Sequence, residues 1–258
     1  MIKAAFFDID RTLLSHVTNS VPASAKEALA ELRRRGILIF LATGRDISVL
    51  RQMKPLEGIV FDGAITLNGQ YCFDQDGVIY ANPIHKDDLA TLLAHLQTTP
   101  IPCGFIEADR MYMNFHNERV ERVHAAIHSA PPPLGDLTRG YDHDIYQVLL
   151  YLTDEELAQL PPLPHVKTTK WHNGGIDMIP ANGGKAIGIE KVLKHFRISR
   201  NETIAFGDGE NDIDMFHAVE IAVAMGNACD EVKQEADYIT TAVDDDGIWN
   251  ALKHLNII

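Results

Sequence analysis

The sequence is short of cysteine, of net positive charge and of long apolar runs. Its three cysteines, Cys72, Cys103 and Cys229, lie far apart and form no CxxC pair, so reduced thiols in a cytosolic protein are expected. No run approaches the roughly 20 apolar residues of a membrane span. The opening "MIKAAFFDID" meets an acid at position 8, too early for the apolar region of a secretory signal. A soluble, cytoplasmic protein with no membrane partner is therefore expected. The formal net charge of −13 argues against nucleic acid as a partner, because phosphate backbones need Lys and Arg footprints. A small phosphorylated ligand remains admissible if a metal or a few local groups reverse the sign. Nothing in the sequence specifies an oligomeric state.

What is present is an ordinary globular composition, 46% hydrophobic and 23% charged over 258 residues, enough for one large domain or two modest ones. Ile2–Phe7 reads as a buried strand. "VPASAKEALAELRRRG" then places Pro22 near a helix start, Ala25, Ala28, Leu29 and Leu32 on one face, and Gly36 as the stop. "ILIFLA" (Ile37–Ala42) is continuously apolar, as a parallel strand covered on both faces must be. Strand, helix and strand at this spacing form a βαβ unit. Ile59–Phe61 is read as a third strand, and "YCFDQDGVIY" as a hairpin turning at Asp76-Gly77.

From about Pro83 the texture changes, with His and Pro frequent in stretches such as "APPPLG" and "LPPLP". After about Asn182 the βα grammar resumes: "GGKAIGIEKVLKHF" as helix, "TIAFGDG" as strand, "NDIDMFHAV" as helix, "IAVAM" and "ADYIT" as strands. The fold class is thus α/β, a doubly wound, mostly parallel, Rossmann-like core made of 1–82 and 183–258. An α/β module, 83–182, is inserted into it.

Asp208 ends "TIAFGD" in the way Asp8 ends "KAAFFD", and ligands of open parallel sheets bind at the carboxyl ends of strands. If those strands are neighbours, Asp8, Asp10, Asp208 and Asp212 converge. Two such charges about 4 Å apart repel by about 4 kcal/mol at an effective dielectric near 20. A hard cation held by oxygen ligands, Mg²⁺ first, would relieve this. A lone Asp after a strand is ordinarily a turn or cap residue, but four acids at two strand ends fit that description poorly. "LATGR" sets Thr43 and Gly44 at a strand end, an anion-binding arrangement that a Thr cap before Asp46 would explain equally. Lys185 opens a helix behind Gly183-Gly184, where a cation opposes the helix dipole unless an anion is near; a solvated surface lysine is the alternative.

In this order "DIDRT", "LATGR", "NGGKAIG" and "GDGENDIDM" resemble the haloacid dehalogenase (HAD) superfamily of phosphohydrolases. The forms "TGR", "GDGEND" and "LNG" (Leu67–Gly69), and the size of the insertion, are similar to its Cof-type branch, in which the insertion is a cap. The resemblance implies a Mg²⁺-dependent phosphatase acting on small phosphorylated metabolites, sugar phosphates foremost, through an aspartyl-phosphate. It implies Asp8 as nucleophile and metal ligand, and Asp10 as general acid and base with its backbone carbonyl on the metal. Asp208 would be the remaining metal ligand, with Asp212 supporting it. Ile9 through its backbone, Thr43, Gly44, Lys185 and Asn211 would hold phosphate oxygens. Arg45 either reaches a substrate anion or braces a carboxylate. Arg11 stands where the family commonly has Gly, and either faces solvent or adds charge at the substrate mouth.

In the cap, His124 and His128 are spaced as zinc ligands but lack a third, which leaves a solvated helix face. His172, Asn173 and Asp177, near the return to the core, are candidates for substrate contact. Alternatives within the chemistry are a phosphomutase or phosphotransferase. From other classes, they are a phospho-Asp receiver domain, or a binding protein that has lost catalysis.

Overall fold

The computed structural model describes residues 1–126 and 129–258, the side chains of Trp171 and His172 excepted. His128 and the side chain of His172 therefore lie outside the described residues. In chain order the strands are β1 (Ala4–Phe7), β2 (Leu38–Ala42), β3 (Gly63–Thr66), β4 (Tyr71–Asp74), β5 (Val78–Ala81), β6 (Cys103–Ile106) and β7 (Met111–Met113). They continue with β8 (Gln147–Leu150), β9 (Val166–His172), β10 (Gly175–Pro180), β11 (Thr203–Gly207), β12 (Ile221–Ala224) and β13 (Tyr238–Ile239). The helices are α1 (Ala23–Arg34), α2 (Ile47–Leu50), α3 (Lys86–Thr98), α4 (Glu118–Ala126), α5 (Asp154–Leu157), α6 (Lys185–Phe196), α7 (Ile213–His217), α8 (Asp230–Gln234) and α9 (Gly247–His254). By internal contacts the chain divides into two units. One comprises Met1–Arg45, Gln52–Ala81 and Gly184–Ile258, the other Asp46–Arg51 and Asn82–Gly183.

The first unit is built on an eight-stranded sheet ordered β13-β12-β11-β1-β2-β3-β4-β5. Pairing is parallel from β13 through β3, and β4 and β5 add an antiparallel edge. Every residue of β1 is buried, as a strand covered on both faces requires. On one face Phe6 stacks on Phe40 and packs with Ile189 and Val192 of α6 and Phe216 of α7. Phe7, pointing the other way, stacks on Phe206 of the neighbouring strand. α1 buries Ala25, Ala28, Leu29 and Leu32, the predicted face, and ends at Gly36 in the left-handed region.

The third strand is displaced from its expected place. Ile59–Phe61 lies in a loop with Val60 exposed, and pairing with β2 begins at Gly63. Apolar content favours 59–61, but packing decides for 63–66. A β-carbon at Gly63 would sit 2.7 Å from the Phe73 carbonyl oxygen and 3.2 Å from the Phe40 ring, so only glycine lets β2, β3 and β4 close up.

The second unit carries a five-stranded antiparallel sheet ordered β7-β6-β8-β10-β9. Leu89, Leu92, Leu93 and Leu96 of α3 pack on Cys103, Phe105, Val148, Leu150, Ile176 and Met178. Leu149 and Tyr151, which alternate with these along the chain, pack instead with Val120 and Val123 of α4. His124 does not lie on a solvated helix face. It is 6% exposed, with Nε2 2.8 Å from the Tyr151 hydroxyl and Nδ1 3.0 Å from the Ser129 hydroxyl, so both ring nitrogens have structural partners. Asn173 sits at the β9–β10 turn, and Asp177 is buried within β10.

Candidate active site

β1 and β11 are adjacent and parallel, with Phe7 opposite Phe206, so the acids that follow them leave the sheet side by side. The Asp8 N–H donates to the Phe206 carbonyl at 3.0 Å, which fixes where Asp8 turns away. Asp8, Asp208 and Asp212 are buried, and each offers an oxygen within 4.8 Å of the others. Segments two hundred positions apart in sequence therefore share one acidic cluster, as the strand-end reading required.

Asp212 is placed by its own loop. Its Oδ2 accepts the N–H groups of Asp208 and Gly209, each at 3.0 Å, and its Oδ1 accepts from Lys185 at 2.6 Å. The approach needs Gly207, since a β-carbon there would meet the Asp212 carboxyl carbon at 2.5 Å. Asp208 Oδ1 accepts from Thr12 Oγ1 at 3.4 Å, which gives a role to the threonine of "DIDRT".

Lys185 is not a surface lysine. Its ammonium is buried and lies 2.7 Å from Asp8 Oδ1 and 2.6 Å from Asp212 Oδ1. Its position at the first turn of α6, unfavourable to the helix dipole, is compensated by two carboxylates. The depth of Lys185 depends on Gly69. At φ +91° its α-carbon abuts Gly184, and a β-carbon would come within 1.9 Å of the Gly184 carbonyl oxygen.

Burial is the largest influence on this cluster. It raises Asp8, with Asp212 and Asp10 adding to the rise and Lys185 opposing it. Burial, helped by Asp212, pushes Asp208 up to about 6. Burial would lower Lys185, but Asp212 and Asp8 outweigh it and hold the ammonium well above its usual value. Acids driven upward by burial and by one another mark a site short of positive charge. Three oxygen donors and no sulfur or imidazole fit a hard divalent cation.

Asp10 stands apart from the cluster of three. Arg45 grips its carboxylate with two bonds of 2.7 Å, from Nε to Oδ2 and from Nη2 to Oδ1, and His16 Nε2 lies 2.9 Å from Oδ1. Burial raises Asp10, yet Arg45 and His16 outweigh it and hold the carboxyl well below the usual range. Arg45 thus braces a carboxylate.

Thr43 is buried, and its hydroxyl accepts from the Arg45 N–H at 3.1 Å, closing the turn after β2. The cap of the following helix is Asp46, whose carboxylate accepts from Ser48 and Val49, so Thr43 is not the helix cap. Asn68, in the left-handed region at φ 52°, gathers the remaining candidates. Its N–H donates to the Thr43 carbonyl at 3.1 Å and its Oδ1 accepts from Asn211 Nδ2 at 3.0 Å. A β-carbon on Gly44 would lie 3.2 Å from that same oxygen. The Ile9 side chain is fully buried, and its carbonyl accepts from the N–H groups of Leu13 and Leu14. No pattern in the sequence marks His16 or Asn227, and "LNG" marks Asn68 only as part of a motif.

Arg11 turns toward the cluster. At φ 59° it is left-handed, with Nε 3.4 Å from Asp208 Oδ2. Its Nη2 donates to the Asn227 carbonyl at 2.8 Å.

The chain matches the haloacid dehalogenase-like hydrolases over residues 5–252 and belongs to that family. It is an enzyme of phosphatase type. Among its relatives is the protein YkrA of Bacillus subtilis (strain 168), 35% identical over 259 residues, spanning 99% of this chain and 98% of that one. The solved structure of BT1666 from Bacteroides thetaiotaomicron, a phosphatase of the same superfamily, is 33% identical with a TM-score of 0.91, covering 100% of this chain and 96% of that one. That of the subclass IIB sugar phosphatase BT4131 is 36% identical with a TM-score of 0.87, covering 99% and 100%. The receiver-domain and non-catalytic readings are thereby set aside. Among the described residues no helix is long and apolar enough to cross a membrane.

Proposed function

We propose that this protein is a Mg²⁺-dependent phosphatase of small phosphorylated metabolites, sugar phosphates foremost, that carries the phosphoryl group on Asp8. The observation that supports it most is the buried set Asp8, Asp208 and Asp212 with Lys185 between two of its members. The likeness to a sugar phosphatase across nearly the whole chain favours a sugar leaving group.

In this reading Asp8 and Asp208, with the Asp10 backbone carbonyl, would hold the ion, and Asp212 fixes the loop that presents Asp208. The bound ion would neutralise phosphoryl charge. Lys185, Thr43, Gly44, Asn211 and the Ile9 N–H orient the phosphate oxygens. An Asp8 oxygen forms a bond to phosphorus as the bond to the leaving oxygen breaks, and Asp10 protonates that oxygen. Water then attacks phosphorus, Asp10 takes its proton, and the bond to Asp8 breaks to release phosphate. Arg45 and His16 favour the ionised Asp10, the form needed in the second half; proton donation in the first half requires their grip to slacken. Residues 83–182 act as a cap that selects the leaving group, and the protein is cytoplasmic.

Phosphate release from a panel of phosphorylated metabolites, with and without Mg²⁺, tests this. Sugar phosphates should be hydrolysed and chelation should stop the reaction. Turnover that survives exhaustive chelation would remove the ion, and a silent panel would remove the phosphatase.

A further inference from the structure

The residue after the second acid of "DIDRT" is the least expected in the site. Arg11 occupies a left-handed backbone position that a β-carbon disfavours, and its side chain is 52% exposed, so solvent is open to it. It is held inward by a closed set of contacts. Nη2 donates to the Asn227 carbonyl at 2.8 Å, and Asn227 Nδ2 donates back to the Arg11 carbonyl at 2.9 Å. Asn227 Nδ2 also approaches Asp208 Oδ2 at 3.3 Å, while its Oδ1 accepts the Val243 N–H at 2.9 Å. Asn227 is thus anchored at both ends of its amide, and it fixes Arg11 with Nε 3.4 Å from Asp208 Oδ2.

Charge balance gives this placement a consequence. Three ionised carboxylates against one buried ammonium leave two net negative charges, and Arg11 offsets one of them. A divalent ion bound by Asp208 would meet the guanidinium as a like charge. We propose that Arg11 is a built-in counter-cation of the carboxylate cluster. It steadies the ion-free site and lowers the affinity for a divalent ion below what the carboxylates alone would give. Asn227 is the positioning residue that keeps it there. The proposal rests on the divalent-ion reading above.

Calorimetric titration of Mg²⁺ into the chelator-stripped full chain tests it, beside melting with and without Mg²⁺. Arg11→Gln keeps the β-carbon and removes the charge. It should bind Mg²⁺ about threefold to tenfold tighter at low ionic strength, with the gap narrowing in salt. Its melting temperature should rise more on adding Mg²⁺ than that of the wild type. Arg11→Lys keeps the charge and should stay within about twofold of the wild type. Should Arg11→Gln fail to fold, Arg11→Gly removes the same charge while easing the backbone and should tighten binding likewise. Wild-type binding with equal or weaker affinity in the charge-removed variant overturns the role of Arg11 alone. A wild type that neither takes up Mg²⁺ nor melts higher with it overturns the divalent-ion reading and the Arg11 inference together.

Discussion

Glu107 and Asp88 in the second unit and the strand-end acids in the first are buried in contrasting ways. In the second unit two buried acids lie against bases: Glu107 is held by Arg139 through bonds of 2.9 and 3.0 Å, and Asp88 accepts the His165 backbone N–H at 2.8 Å with the His165 ring at 3.3 Å. Such closed pairs specify a fold and leave nothing over. In the first unit, acids outnumber bases at one end of the sheet, and that imbalance is retained against the cost of desolvating like charges. Balanced burial marks architecture, and unbalanced burial marks a place prepared for something charged.

The sharpest way to break this comparison is at Asp8, the proposed nucleophile. Asp8→Asn should cut phosphate release by about a thousandfold or more while circular dichroism shows an intact fold. Undiminished turnover would remove Asp8 from its role. Next comes Lys185, the ammonium shared by Asp8 and Asp212. Lys185→Met leaves Asp8 and Asp212 without their shared cation and should cost about 3–5 kcal/mol in urea unfolding. Arg139→Met, its counterpart in the second unit, leaves one partly screened acid and should cost about 1–3 kcal/mol. Equal losses would erase the distinction drawn here.

A third test uses protons. Asp208 sits at about 6 in the folded protein against an ordinary 3.8. Between those values the folded state binds a proton that the unfolded chain releases, so the contribution of Asp208 to ion-free stability rises as pH falls through about 6. The slope is about 1.4 kcal/mol per pH unit inside that window, and Asp208→Asn should abolish it in chelator-containing urea titrations. A slope unchanged in that variant would place the proton elsewhere. Smallest of all, Tyr151→Phe removes the hydroxyl beside His124. It should cost about 1 kcal/mol of stability and leave turnover intact.

The opening βαβ unit was legible in the sequence because α1 and β2 follow plain periodicity, and the convergence of Asp8 with Asp208 followed from two strands that end alike. What stayed hidden depends on where long or left-handed side chains point. No local pattern says that Lys185 dives between two carboxylates, that Arg45 grips Asp10, or that Arg11 bends inward. Asn227 and Asn68 were silent because an amide in a loop looks the same whether it solvates a turn or ties two segments together. The third strand was misplaced because Gly63 wins its position by fitting under Phe40, which hydrophobicity does not report.

Gly69 carries a consequence for anyone reading tolerance maps of this enzyme. With its α-carbon pressed on the peptide that precedes Lys185, even an added methyl group would lever the ammonium away from its carboxylates. In a saturation scan this position should score like a member of the reacting set, although it has no functional group to contribute. Its intolerance would register a distance being kept.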